Sequence, residues 1–123
     1  MPRRQRRGTR ASGAAAARRR RGLGARGEAI ALAFLRRRGA RLIASNVRSG
    51  RGEIDLLVRV DGRVVAVEVK TRVNVDPLTQ MTELKHDRLR RAAHHANPRP
   101  TRIDVIAVMF DTTGATIRWV RGI

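Results

Sequence analysis

The sequence predicts an α/β domain of five strands and two helices, and three observations predict it. Apolar residues recur at helical spacing in two stretches and at strand-like spacing in five others. An Asp61-Gly62 pair between two Val-rich runs is a two-residue hairpin signal. The chain has 123 residues, enough for one domain and too few for two.

The elements follow in order. Residues 1–25 form an Arg-rich arm, with the run Arg18 to Arg21, no acid and almost no large apolar residue. Such a segment buries too little surface to offset its ordering entropy, so disorder is expected there and the domain is expected over 26–123. An Arg- and Ala-rich start also resembles an organellar transit peptide, but it lacks an apolar face. A helix is expected over 26–38, with Ile30, Ala33 and Phe34 at helical spacing, Leu32 and Leu35 widening the face, and Gly39 as its stop. Strands follow over 41–47, 54–60 and 63–70, with a turn at Ser49-Gly50. Residues 73–81, containing Pro77, read as a loop. A second helix runs over 82–96, with Thr82 as N-cap and Pro98 and Pro100 ending it. Strands over 102–110 and 115–120 complete the chain.

The formal charge is +18. Charge of that size opposes compaction unless an anion offsets it, and nucleic acid is the leading candidate, ahead of an anionic membrane surface. Arg supplies nearly all of it, Lys70 and Lys85 being the only lysines, so compositional bias is the competing explanation. There is no cysteine, which excludes disulfides and thiolate metal sites and suits a reducing compartment such as the cytoplasm. No apolar run reaches the ~18 residues of a membrane span.

A literal Asp61-Gly62 turn sets Val60 opposite Arg63. Counting outward, Asp55 faces Glu68 and Glu53 faces Lys70 on one side of the sheet. Ile54, Leu56, Val58, Val60, Val65, Val67 and Val69 take the other side. Opposed carboxylates repel, unless a hard divalent cation sits between them. Mg²⁺ needs only one or two carboxylates and fills its shell with water and phosphate oxygens. The Val69 carbonyl is a further ligand within reach. Lys70, two residues from Glu68, can orient an attacking water or offset charge on a reacting phosphate. Its ammonium, unlike a guanidinium, can also lose a proton. The competing reading is a solvated strand face with Glu53 and Lys70 as a cross-strand ion pair.

Several segments carry a family resemblance: Gly27-Glu28-x-x-Ala31, Ser45-Asn46-x-Arg48, Arg51-Gly52-Glu53-Ile54-Asp55-Leu56 and Val67-Glu68-Val69-Lys70-Thr71-Arg72. Met81-Thr82-x-x-Lys85 and Arg102-x-Asp104-Val105 extend it. From about Arg26 onward the chain resembles the YraN-like family (uncharacterised protein family 0102), of restriction-endonuclease-like, PD-(D/E)XK fold. The resemblance implies a mixed sheet flanked by helices, similar to Holliday-junction resolvases. It implies Asp55 and Glu68 as metal ligands, with Mg²⁺ or Mn²⁺ as the cofactor, and Lys70 as the catalytic lysine. Glu28 matches an acidic position of related resolvases and would complete the metal site. From the residues alone it is an acid in the first turn of a helix, where the macrodipole favours it. Resolvase relatives act as dimers, so a homodimer is implied as well.

The expected function is a Mg²⁺-dependent endonuclease on DNA, branched DNA included. Lys85, Arg88 and Arg91 on the second helix, with Arg51 and Arg72, are the expected phosphate contacts, and DNA is favoured over RNA. The alternative is a module of the same fold that binds nucleic acid without cutting it. Aromatics are too scarce for a stacking platform, Tyr being absent. His86, His94 and His95 show no zinc spacing. Asp104, in an otherwise apolar strand, is expected to pair with Arg102 or Arg118.

Overall fold

A computed structural model describes residues 2–50, 52–75 and 83–123, with side chains from residue 13 onward except those of 15–17, 19–20 and 83–86. Helix α1 spans Pro2–Arg37 and helix α2 spans Glu83–His95. The strands are β1 (Arg41–Ser49), β2 (Gly52–Val60), β3 (Arg63–Val73), β4 (Arg102–Asp111) and β5 (Gly114–Val120). They form one mixed sheet in the order β1-β2-β3-β4-β5. Only β3 and β4 run parallel, joined through α2, and the other neighbours are antiparallel. A parallel pair needs a crossover, and α2 supplies it.

Each helix covers one face of the sheet. Ala31 and Leu35 of α1 pack on Leu56, Val58, Val60, Val65, Val67, Ile106 and Val108. Leu89, Ala92, Ala93 and Ala96, from α2 and the residue just after it, pack on Ile54, Leu57, Val64 and Ala66. The small residues on α2 let it lie close: a Cβ on Gly52 would sit 2.8 Å from both the Ala92 Cβ and the Arg88 carbonyl oxygen. Gly27 is as tightly placed on α1, where a Cβ would collide with the Thr71 side chain of β3.

Helix α1 stops as expected. Gly39 takes φ +87°, and the Gly39 and Ala40 amides donate back to the Arg36 and Leu35 carbonyls. This is the glycine-dependent closure that satisfies the last carbonyls of a helix. Its start differs from expectation, because the helix continues back through the Arg-rich arm to Pro2. Ala and Arg are strong helix formers, and no proline follows Pro2 before the helix ends. Ala14, Arg18 and Arg21 are exposed, so local propensity rather than packing favours helix there. The expected loop over 76–81 and the Thr82 cap lie outside the described residues.

Some of the arginine has structural work. Arg38 stacks 3.6 Å from the Phe34 ring centroid, Arg121 3.9 Å from that of Trp119, and Arg26 5.2 Å from that of Phe110. Phe34 and Trp119 meet edge to face, tying α1 to β5. Among the described residues no helix is long and apolar enough to cross a membrane.

Candidate active site

The β2–β3 hairpin forms in the counted register, with Val60 opposite Arg63 and pairing continuing to Leu56 opposite Val67. The turn follows from Asp61 and Gly62, both at positive φ. Beyond Leu56 the register of paired residues ends, so Asp55–Glu68 and Glu53–Lys70 are not ladder partners as expected. The Val69 amide, which would continue the ladder, donates instead to Asp55 Oδ2 at 2.8 Å. Ile54 correspondingly leaves the α1 face expected for it and packs under α2 with Leu57. A side-chain acceptor has replaced a backbone one at this point of the hairpin.

The divergence still leaves the acids together. The Asp55 carboxyl is pushed up to about 8. Burial is the main cause and the neighbouring Glu68 carboxylate the next, while the Val69 amide pulls the other way. Glu28 reaches the same region from α1. Its carboxyl is raised by burial, then by Glu53 and Glu68. Four acids from α1, β2 and β3 thus share one end of the sheet. Lys70 Nζ lies 3.1 Å from Glu68 Oε1, within its own strand, rather than on Glu53 as the competing ion-pair reading had it. Glu53 sits opposite Arg48 of β1.

Glu53, Glu68 and Lys70 open into a cleft of about 510 Å³, also lined by Arg48, Gly50, Gly52, Arg88 and Leu89. The cleft lies between the β1–β2 hairpin and α2, and the closeness forced at Gly52 shapes it. Arg48 was not among the expected contacts. The expected Ser49-Gly50 turn would set Arg48 opposite Arg51, whereas Ser49 pairs with Gly52 and so brings Arg48 opposite Glu53.

The other expected residues fall as follows. Arg88 lines the cleft, and Arg91 is exposed further along α2. Arg72 is half-buried and donates to the Thr71 carbonyl at 2.7 Å. Arg51 and the Lys85 side chain lie outside the described residues, as does that of His86. Val69 contributes its amide, as above. Asp104 is fully buried and paired with Arg102 as expected.

Among the described residues no three His, Cys, Asp or Glu side chains converge into a cage that would hold a metal by themselves. The donor set is Asp55 with Glu68, oxygen ligands only, next to open cleft. That suits Mg²⁺ or Mn²⁺, which keep water and substrate oxygens, and it does not suit zinc. The raised Asp55 carboxyl is the observation in favour: a divalent cation there would replace a proton that burial and repulsion now hold.

The model of "Uncharacterised protein family UPF0102" matches residues 27–108. A UPF0102 protein of Beutenbergia cavernae is 39% identical over 111 residues, covering 82% of this chain and 94% of the relative. One of Clavibacter michiganensis subsp. michiganensis is 42% identical over 101 residues, covering 75% and 86%. One of Chloroherpeton thalassium is 39% identical over 97 residues, covering 72% and 75%. The match takes in both helices' packing faces, the diverging hairpin and every acid of the cluster, and the chain belongs to the UPF0102 family.

Proposed function

We propose that the protein is a Mg²⁺-dependent endonuclease of restriction-endonuclease-like fold that hydrolyses phosphodiester bonds in DNA, branched DNA included. The observation that carries this reading is the Asp55–Glu68 pair, with Asp55 raised to about 8 and Glu68 lining a cleft that also presents Lys70, Arg48 and Arg88. Structural acids are normally set against cations, whereas Asp55 has no cationic partner among the described residues and faces Glu68. A DNA substrate would place the protein in the bacterial cytoplasm.

Asp55 and Glu68 would hold the ion, and Glu28 would add negative charge nearby. When bound, the ion would supply Lewis-acid stabilisation of the phosphate and lower the pKa of a water. Arg48 and Arg88 would grip non-bridging phosphate oxygens with charge-assisted hydrogen bonds. Lys70, held by Glu68, would orient the attacking water and stabilise charge developing on phosphorus oxygens. The water oxygen bonds to phosphorus as the P–O bond to one sugar breaks; the water gives up a proton to solvent, and the leaving oxygen takes one from solvent. Leu89 adds an apolar wall to the cleft.

The test is a cleavage assay with Mg²⁺ or Mn²⁺ on duplex, single-stranded, flap and four-way-junction DNA. Wild type runs beside Asp55→Asn and Lys70→Ala. Metal-dependent cutting reduced at least about 10²-fold in both variants supports the reading. No cutting by wild type, with salt-sensitive binding equal in all three proteins, replaces it with the binding module.

A further inference from the structure

A second basic cavity lies on the other side of α2. At about 100° per residue, Leu89, Ala92 and Ala93 form the buried face of this helix. Arg88 then falls on one flank, toward the acidic cleft. Arg90 and His94 fall on the opposite flank, and Arg91 lies between them on the outer surface. The far flank borders a cavity of about 330 Å³ lined by Arg90, Ala93, His94, Arg99, Arg102 and Ile103, among others.

The cavity's charges differ in their partners. Arg102 is spent on Asp104, with Nε and one terminal nitrogen both bonded to that carboxylate. Arg99 is aimed by His94, its terminal nitrogen 2.8 Å from His94 Nδ1. Arg is always a donor, so Nδ1 accepts, and the proton of a neutral His94 sits on Nε2. Neither Arg90 nor Arg99 has an acidic partner among the described residues. Two guanidiniums converging on a cavity, one pre-oriented by a histidine, make a receptor for a tetrahedral anion.

We infer that the Arg90–His94–Arg99 cavity binds a backbone phosphate of the same nucleic-acid strand that enters the acidic cleft. It rests on the nucleic-acid half of the reading above, and not on cleavage. A helix with its side chains is about 10–12 Å across. Successive phosphates along one strand lie nearly twice as far apart as the ~3.4 Å rise along a duplex axis, so about two phosphate intervals cover that length. The strand therefore crosses α2 over Arg91, with about two nucleotides between the phosphate in the cleft and the phosphate in the cavity. A dinucleotide reaches one position only, and a strand of four or more reaches both.

The test is fluorescence anisotropy with single-stranded DNA of about twelve nucleotides, and with a dinucleotide, across a salt series in EDTA. Wild type is compared with Arg90→Ala/Arg99→Ala and with Arg59→Ala/Arg63→Ala. The second pair removes equal charge from exposed positions at the turn end of the β2–β3 hairpin. All four arginines are exposed, so folding is not at stake. The expected result is a salt slope smaller by about 0.7 and about tenfold weaker binding of the long strand for the cavity pair alone, with the dinucleotide unaffected. That result stands even if wild type never cuts DNA, in which case only the nuclease reading falls. Equal losses from the two pairs overturn the inference, whether or not DNA is cut. So does competition by poly-glutamate that matches unlabelled DNA in wild type and vanishes in the cavity variant, because the cavity then takes an acidic peptide.

Discussion

Asp55 and Asp104 are two aspartates in one sheet with opposite surroundings. Asp104 is fully buried and takes four donors: two from Arg102, the Trp119 indole Nε1 at 2.9 Å and the Gly122 amide at 2.9 Å. Its charge is matched within the chain, and it ties β4 to β5 and to the residues after β5. Asp55 takes one backbone amide and otherwise faces Glu68, with Glu28 beyond. The first carboxylate is part of the fold's own electrostatic balance. The second is balanced only by a proton, or by a cation from outside. A buried acid surrounded by donors signals structure, and a buried acid facing another acid signals chemistry.

The contrast breaks first at Asp104. Asp104→Ala strands the Arg102 guanidinium and unties the last strand, at a cost of about 3–4 kcal/mol in urea unfolding. Asp55→Asn has the opposite sign. The amide oxygen still accepts from Val69, the repulsion with Glu68 is gone, and stability above pH 8 rises. A loss of several kcal/mol at Asp55→Asn would make Asp55 a second structural acid.

The pH dependence sharpens the same contrast. The folded Asp55 carboxyl is raised from its ordinary 3.8 to about 8. Its contribution to stability is therefore fully present below about pH 4 and is lost as pH rises through 8. The difference between wild type and Asp55→Asn should change by on the order of 6 kcal/mol across that window in metal-free buffer. A difference that stays flat with pH would show Asp55 ionised throughout.

The smallest effect concerns what holds Glu28 over the pair. Gly27→Ala drives a methyl into Thr71 and should cost about 1–3 kcal/mol as α1 lifts from β3. Gly24→Ala, on the same helix with open space around it, should stabilise by about 0.5–1 kcal/mol. With Glu28 displaced, the Asp55 midpoint moves down. Equal melting shifts in the two variants would mean that α1 is not held at Gly27.

Much of this was legible in the chain. The Asp61-Gly62 turn dictated the β2–β3 register, because a two-residue turn leaves no freedom in the pairing. Gly39 marked the helix end, and the Pro98 and Pro100 pair the end of α2. Alternation did not reveal where the ladder would stop. It placed Ile54 beside Leu56, yet Ile54 packs under α2, because the Val69 amide bonds to the Asp55 side chain rather than to the neighbouring backbone. A period-2 pattern cannot show a side chain taking a backbone's place. The counted opposition of Glu53 and Lys70 fails for the same reason: Glu53 pairs with Arg48 of β1, and Lys70 meets Glu68 on its own strand. The helical arm was missed because composition alone does not separate a solvated helix from coil when Ala and Arg dominate both.

The most direct test of the acidic pair is calorimetric titration of Mn²⁺ into the protein at pH 7, in two buffers of different ionisation heat. With Asp55 holding its proton up to about pH 8, each ion bound by wild type should displace about one proton. The apparent enthalpy should then depend on the buffer, and Asp55→Asn should abolish the binding. Binding without proton release, or binding that survives Asp55→Asn, would contradict the account.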